Sequence, residues 1–372
     1  MKLLIITQKV DYNDDVLGFM HGWIEEFARQ CERVTVICLQ AGEYNFPNNV
    51  KVLSLGKENP EINPEYSGQK SEIIKKIKYL LEFYRYIWCY RRDYDAVFVH
   101  MNPEYVALGG LFWRLGRKKV GLWYAHGHVP VSLKIAEKSA NIIFTSTVSG
   151  CRVKSAKIRV VGQGIDTGKL KSQKPASSAD RSKVKSNDQL KIITVGRISP
   201  SKDYETLVLA AEILKNKNLK FEIEIIGGPA TESDKNYFAE LRYLVVDKKL
   251  NDEIKFIGPV ANREIAGYLQ TADLFVNMGQ TGSLDKAIVE AMSCELPVLS
   301  CNEAMLEILG GYQDLLMYPK QDYKRLAEKI EFINNLSTEQ YQELGKNLRS
   351  IVIKNHSLNN LVSKILNLYK KI

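Results

Sequence analysis

Short apolar runs alternate along the chain with longer stretches in which apolar residues recur every three or four positions. "KLLIITQ", residues 2–8, is a run of the buried-strand type, and a helical pattern from Gly18 to Arg29 follows it. "RVTVICLQ" and "NVKVLSLG" come next, then a long helical stretch, then "YDAVFVH", "KVGLWYAHGH", "NIIFTST" and "IRVVGQG". Strands alternating with helices predict a parallel sheet covered on both faces. Residues 168–190 are polar, nearly devoid of apolar side chains, and read as a linker. A second series follows: strand "KIITVGR", helix 203–216, strand "FEIEIIGG", helix 233–247, strand "IKFIGPV", helix 262–271, strand "DLFVNM", a further helix and strand "PVLSC". The expected architecture is α/β, with Rossmann-like parallel-sheet domains over residues 1–167 and 191–355 facing each other across a cleft.

Length and composition narrow the class. A chain of 372 residues exceeds the usual size of one core. "MKLLIIT" is too short for the apolar segment of a leader, and no window approaches the ~18 apolar residues of a membrane span. Six scattered cysteines without a CxxC pair indicate neither a zinc site nor a disulfide framework, which suits a reducing cytoplasm. The net charge of +9 is not diagnostic but suggests an anionic partner, whether nucleic acid, an acidic membrane surface or a phosphorylated ligand. Without a zinc-finger, RRM or KH signature nucleic acid is the weakest of the three and is not expected.

The chemistry concentrates in the second half. "TGSLDKAIVEAM", residues 281–292, reads as a loop turning into a helix, with Ser283 as its cap and Asp285 at the positive end of the dipole. Lys286 in the first turn opposes that dipole unless an anion lies nearby, and a phosphate is such an anion. In "VGRISPSKDYETL", residues 195–207, Gly196 ends a strand, Arg197 follows, and Lys202 precedes a helix. Arg forks onto two phosphate oxygens, and Lys adds a mobile point charge. The GxGxxG and GxxxxGK[ST] fingerprints are absent, which disfavours a nicotinamide dehydrogenase or a P-loop kinase.

The succession VGR–SxxK, "IIGG", "FIGPV", "ADLFVN" and "SLDKAIVEAMSCELPV" resembles family 4 glycosyltransferases of the GT-B fold across residues 192–310; "VTVICL", "YDAVFVH", "AHGH" and "VVGQGID" match more loosely. The resemblance implies a retaining transferase that moves a sugar from a UDP-, GDP- or dTDP-linked donor on the C-terminal domain to a hydroxyl acceptor on the N-terminal one, with no metal and no resident cofactor. Arg197 and Lys202 would grip the diphosphate and Glu290 the ribose hydroxyls. Gly18, Gly196, Gly227, Val260, Ser283, Leu284, Asp285 and Lys286 would complete the donor site. His126 would lie near the reacting sugar, with His128 and Asp15 toward the acceptor. A helix over about 356–372 would cross back to complete the first domain, where its return could couple closure to catalysis. Two positions depart from the family: Gly282 stands where a glutamate contacts the transferred sugar, and Glu295 stands where a glycine ends the helix.

Residues 71–92, "SEIIKKIKYLLEFYRYIWCYRR", place Ile73, Ile77, Leu80, Leu81, Tyr84 and Ile87 on one helical stripe, with Tyr79, Phe83, Tyr86, Trp88 and Tyr90 off it among lysines and arginines. That is more apolar surface than one core contact needs, and it suits an anionic membrane interface. The expectation is a cytoplasmic protein, peripheral on the inner face of the plasma membrane, acting on a glycan or lipid-linked acceptor in bacterial polysaccharide or glycolipid assembly. The alternatives are a sugar-nucleotide epimerase of the same shape and a non-catalytic subunit that binds a partner or membrane.

Overall fold

The apolar runs become strands because their β-branched and aromatic side chains are buried on alternating faces. Leu3 and Ile5 enter one core, and Leu4 and Ile6 enter another on the opposite side of the same strand. The computed structural model describes residues 1–59, 69–171 and 189–372. These form two units: Met1–Gly164 with Ala261–Arg263 and Leu358–Ile372, and Ile165–Val260 with Glu264–Ser357. Of the expected linker 168–190, residues 172–188 lie outside the described residues.

Unit 1 is built on seven parallel strands: β1 (Lys2–Val10), β2 (Arg33–Ala41), β3 (Val50–Ser54), β4 (Ala96–His100), β5 (Lys119–Trp123), β6 (Ile142–Thr145) and β7 (Ile158–Val160). Their order is β3-β2-β1-β4-β5-β6-β7. One face is covered by α1 (Phe19–Gln30), which brings Trp23 and Phe27 against Phe98 and Phe144. The C-terminal helix Leu358–Lys371 packs on this same face. Its Tyr369 hydroxyl donates to the Val97 carbonyl at 2.6 Å, and Asn359 Nδ2 donates to Glu26 at 3.0 Å. The other face lies under α2 (Gln69–Cys89), α3 (Pro103–Leu115) and α4 (Val131–Ser139), through Phe83, Ile87, Trp113 and Leu133.

The orientation of α2 differs from the stripe read in the sequence. Of that stripe only Ile87 is buried, while Ile73, Ile77, Leu81 and Tyr84 are exposed. Phe83 is buried, and Tyr79, Tyr86 and Tyr90 pack against the core beside it. The sheet selected the helix face with the larger aromatic payload.

Unit 2 has five parallel strands, β8 (Leu190–Val195), β9 (Phe221–Ile226), β10 (Ile254–Gly258), β11 (Leu274–Asn277) and β12 (Val298–Ser300), in the order β10-β9-β8-β11-β12. Its helices are α5 (Tyr204–Asn216), α6 (Glu232–Asp247), α7 (Ile265–Thr271), α8 (Lys286–Ser293), the short α9 (Leu306–Leu309) and α10 (Gln313–Leu316), α11 (Tyr323–Asn334) and α12 (Thr338–His356). The C-terminal helix of unit 1 is α13.

The end of α8 settles how Glu295 is accommodated. Glu295 adopts the left-handed conformation with φ 61°. Its amide donates to Met292 O at 3.1 Å, and that of Leu296 donates to Ala291 O at 3.2 Å, a Schellman closure. The helix therefore ends as it would with glycine. The side chain bears the left-handed cost of about 1 kcal/mol.

Candidate functional site

In unit 2 the loops after β8 and β11 leave neighbouring strand ends, and polar side chains stitch them together. After Gly196 and Arg197 the first loop makes a single 3-10 turn, Pro200–Lys202, and then passes through Asp203 in the left-handed conformation, φ 49°. The Asp203 carboxylate accepts from Thr206 Oγ1 and from Gln280 Nε2 of the second loop, both at 2.7 Å. The Gln280 amide donates to Ser201 O at 3.2 Å. The link with most chemical consequence joins Lys202 Nζ to Asp285 Oδ1 at 2.5 Å.

Asp285 is itself positioned. Its other carboxylate oxygen accepts from Asn277 Nδ2 at 2.8 Å, and Asn277 Oδ1 accepts from the Gly279 amide and from Ser300 Oγ. Asn277 closes β11, so the relay from Ser300 through Asn277 and Asp285 to Lys202 is anchored on β-structure. The sequence singled out Asp285 as a dipole partner and did not single out Asn277, although a polar residue ending an otherwise apolar strand was its visible signal.

The helix begins later than the sequence suggests. α8 starts at Lys286 with Asp285 at its N-cap position, and no side chain caps it. Ser283 is buried three residues earlier, its carbonyl accepting from Asn302 Nδ2 at 2.6 Å. Ser283 therefore does not cap the helix, and its carbonyl makes a tertiary contact. Lys286 sits in the first turn because Glu290, one turn on, accepts a hydrogen bond from its ammonium. That partner answers the dipole objection without requiring a phosphate. Glu290 is buried, as is Leu284.

Gly282, where the resembling family has glutamate, has φ 70° and is buried. The loop there follows a path that an L side chain adopts at a cost, which glycine avoids. The strand ends are equally restrictive at Gly227, with φ 132°, where a Cβ would lie 2.1 Å from Gly196 O. Val260 is half-buried against the same core.

Arg197 stands apart from this cluster. Its guanidinium is about half exposed, and Asp234 lies 3.8 Å away as an ion-pair partner. Asp234 also closes the capping box of α6 with Thr231. Its carboxyl lies below the ordinary range: the hydrogen bonds from Thr231 and from the Ala230 and Thr231 amides, with the Arg197 charge, outweigh the opposing desolvation.

The unit 1 residues occupy the carboxyl ends of that sheet. His126 and His128 follow β5 in an exposed turn, where the His128 amide donates to His126 Nδ1 at 3.0 Å. This bond leaves Nε2 of neutral His126 as the proton-bearing nitrogen. Partial desolvation of the ring, with the neighbouring His128, lowers the His126 pKa and favours that neutral form. Gly18 is the buried N-cap of α1. Among the acids before it, Asp11 and Asp14 pair with Lys9 at 3.1 and 2.7 Å, and Asp14 accepts from the Val16 and Leu17 amides. Asp15 is exposed. Among the described residues no cluster of three or more His, Cys, Asp and Glu side chains is placed to hold a metal ion.

Comparison with known proteins follows these lines. The amylovoran biosynthesis glycosyltransferase AmsK of Erwinia amylovora is 30% identical over 145 residues, covering 37% of this chain and 34% of its own. A GDP-mannose-dependent alpha-(1-6)-phosphatidylinositol monomannoside mannosyltransferase of Mycobacterium tuberculosis is 23% identical over 217 residues, 52% of this chain and 53% of its own. The chain thus spans about a third to a half of the length of these curated relatives. Anabaena Alr3699/HepE, solved with UDP and glucose, superposes with a TM-score of 0.73 over the whole of both chains at 16% identity. That likeness places the two parallel sheets in the GT-B fold. Residues 177–351, which include Arg197, Lys202, the Asp285 relay and Glu290, match the family described as Glycosyl transferases group 1.

Proposed function

We propose that the protein is a retaining family 4 glycosyltransferase, transferring a hexosyl group from a nucleotide-sugar to a hydroxyl acceptor in polysaccharide or glycolipid assembly. The observation that carries this reading is Lys202, held by Asp285 at the carboxyl end of β8 beside the start of α8. A diphosphate at this edge meets the ammonium of Lys202 and, from the same loop, the exposed guanidinium of Arg197. Cations fixed before the reaction stabilise the charge that grows on the departing nucleoside diphosphate. Because these groups supply positive charge, turnover is proposed to be metal-independent. Glu290 takes the ribose hydroxyls, and the donor contacts of unit 2 extend over Gly196, Gly227, Val260, Ser283, Leu284, Asp285 and Lys286.

The acceptor is assigned to unit 1. Neutral His126 offers Nε2–H to a hydroxyl or phosphate oxygen of a ligand at the carboxyl edge of the unit 1 sheet, with His128 and Asp15 toward the acceptor. Transfer proceeds on one face of the sugar: the bond from the anomeric carbon to the phosphate oxygen breaks, the acceptor oxygen bonds to that carbon, and its proton passes to the leaving phosphate. The names of the relatives support a donor of the UDP- or GDP-sugar type and a glycan or lipid-linked acceptor. Work at the inner face of the plasma membrane, in the cytoplasm, is proposed with it; no described helix is long and apolar enough to cross a membrane.

The test is release of nucleoside diphosphate from UDP-, GDP- and dTDP-sugars, with and without a glycolipid acceptor and in EDTA. Release from one donor that persists in EDTA and yields a glycosylated product of unchanged anomeric configuration is the expected result. No release from any donor favours a non-catalytic subunit, and conversion of the donor into an isomeric sugar without acceptor favours an epimerase. Loss of turnover in EDTA removes the metal-independent clamp.

A further inference from the structure

α2 carries two apolar faces, and only one of them meets the core. Tyr79, Phe83, Tyr86, Ile87 and Tyr90 pack inward. On the opposite side Ile73, Ile77, Leu81, Tyr84 and Trp88 follow one another at spacings of four, four, three and four, within roughly a quarter of the helix circumference. All five are exposed, with Leu81 at 64% and Trp88 at 58%. No polar residue interrupts this stripe over about 22 Å of helix.

The stripe continues onto a second helix, which the sequence reading did not single out. α3 exposes Leu108, Leu111 and Leu115, the last two at 70% and 79%. The helices adjoin along these faces: the Tyr84 hydroxyl donates to the Leu108 carbonyl at 3.1 Å, and the Trp88 and Phe112 rings lie 5.9 Å apart. Solitary exposed leucines are ordinary on a folded protein; a continuous two-helix surface is not.

Charge identifies what covers it. Residues 73–92 and 103–118 together hold nine Lys and Arg against two Glu; Lys75 is buried and Lys118 is tied to the Tyr94 carbonyl, which leaves seven, in a chain whose whole net charge is +9. Lys78 and Arg85, and Arg92 just past the helix end, recur every seven residues and border one side of the stripe. The Arg91 guanidinium lies 4.4 Å over the Trp88 ring, an aromatic body beneath a cationic head.

We infer that α2 and α3 of unit 1 form a platform that seats on an anionic membrane surface, with the leucine and isoleucine side chains among the acyl chains and the cations against lipid phosphates. The inference gives the transferase reading its lipid-proximal acceptor and rests on that reading for its purpose. It replaces a helix lying with a single stripe by two helices sharing one apolar face.

The test is flotation with vesicles of phosphatidylcholine containing about a third phosphatidylglycerol, against phosphatidylcholine alone. Wild-type protein is expected to float with the anionic vesicles and to be released by high salt. Leu81→Glu with Leu111→Glu, both at exposed positions, is expected to lower partitioning at least tenfold with an unchanged circular dichroism spectrum and melting temperature. Arg85→Gln with Arg92→Gln is expected to lower it about fivefold per charge. Wild-type protein that stays in solution with anionic vesicles overturns the platform, as does a Leu81→Glu/Leu111→Glu variant that floats like wild type. Sedimentation showing a wild-type dimer made monomeric by the same variant overturns it too, because a second copy would then be the cover. Calorimetry with UDP and GDP on the same samples keeps the two readings separate. Lost flotation with retained nucleotide binding sinks the platform alone, and the reverse sinks the transferase reading alone.

Discussion

The two units repeat one architectural plan and arm its strand ends with different side chains. Five strands of unit 1, β3-β2-β1-β4-β5, follow the same order as the five of unit 2, β10-β9-β8-β11-β12. At the strand ends of unit 2 the cations are tied to carboxylates: Lys202 to Asp285, Lys286 to Glu290 and, more loosely, Arg197 to Asp234. At the strand ends of unit 1 Lys9 is likewise tied to Asp11 and Asp14, and histidines join it, with His100 buried and His126 held toward neutrality. Further cations lie out on α2 and α3, beside exposed apolar side chains. The difference teaches that a shared sheet order dictates where a ligand edge lies and leaves open what that edge can bind. Paired charges fixed in place suit a multiply charged ligand, and neutral imidazoles suit a hydroxyl-bearing one.

The contrast breaks most visibly at Lys202. Lys202→Ala is expected to reduce turnover roughly 10²- to 10³-fold with the fold intact, whereas His126→Ala costs about tenfold. Steady-state rates of nucleoside diphosphate release measure both, and equal losses would erase the distinction between the two edges.

His100 extends the contrast to acid stability. Burial beside Phe19 and Trp23 lowers its pKa from 6.5 to about 3. The unfolded chain accepts a proton near pH 6.5 that the folded one refuses, so its contribution is present in full above that pH and is lost as pH falls toward 3. At a pH of about 4.5 the loss is roughly 2–3 kcal/mol. Urea unfolding of His100→Gln across that range is expected to show a shallower acid limb, by one proton, than the wild type.

Asp285 sharpens the account of unit 2. Removing its charge in Asp285→Asn frees Lys202 for a phosphate, so UDP or GDP is expected to bind about fivefold more tightly, near 1 kcal/mol. Weaker binding would mean that Asp285 serves mainly to place the ammonium. The smallest effect concerns Glu295, where Glu295→Gly is expected to raise stability by about 1 kcal/mol in thermal or urea unfolding. The Arg349 contact it gives up is long, at 3.9 Å, and contributes little.

Strands and sheet class were legible because runs such as "KLLIITQ" and "DLFVNM" bury both faces, a property written in composition and period. α3 was not singled out, since two consecutive glycines interrupt "PEYVALGGLFWRL"; in the fold Gly110 lies where a Cβ would be 2.4 Å from Ser139 Cβ of α4, so the glycine serves helix packing. The period of α2 revealed a stripe and could not say which of two apolar faces the sheet would take. At the site, Arg197, Lys202 and Glu290 stood out by chemistry and order. The partner of Lys286 was available from its i,i+4 spacing to Glu290, while those of Lys202 and Ser283 were not. Asp285 lies 83 residues from Lys202, and Asn302, which donates to the Ser283 carbonyl, lies 19 residues from it in a contact that only the folded chain creates.

The central claim is that Lys202 and its neighbours at the carboxyl edge of β8 and β11 receive a nucleoside diphosphate. Isothermal titration of UDP, GDP and dTDP into wild type and Lys202→Ala, in EDTA, tests it most directly. The account predicts saturable binding of one of the three by wild type and affinity at least tenfold weaker in the variant. Equal affinity for the two proteins, or no binding of any of the three by wild type, would contradict it.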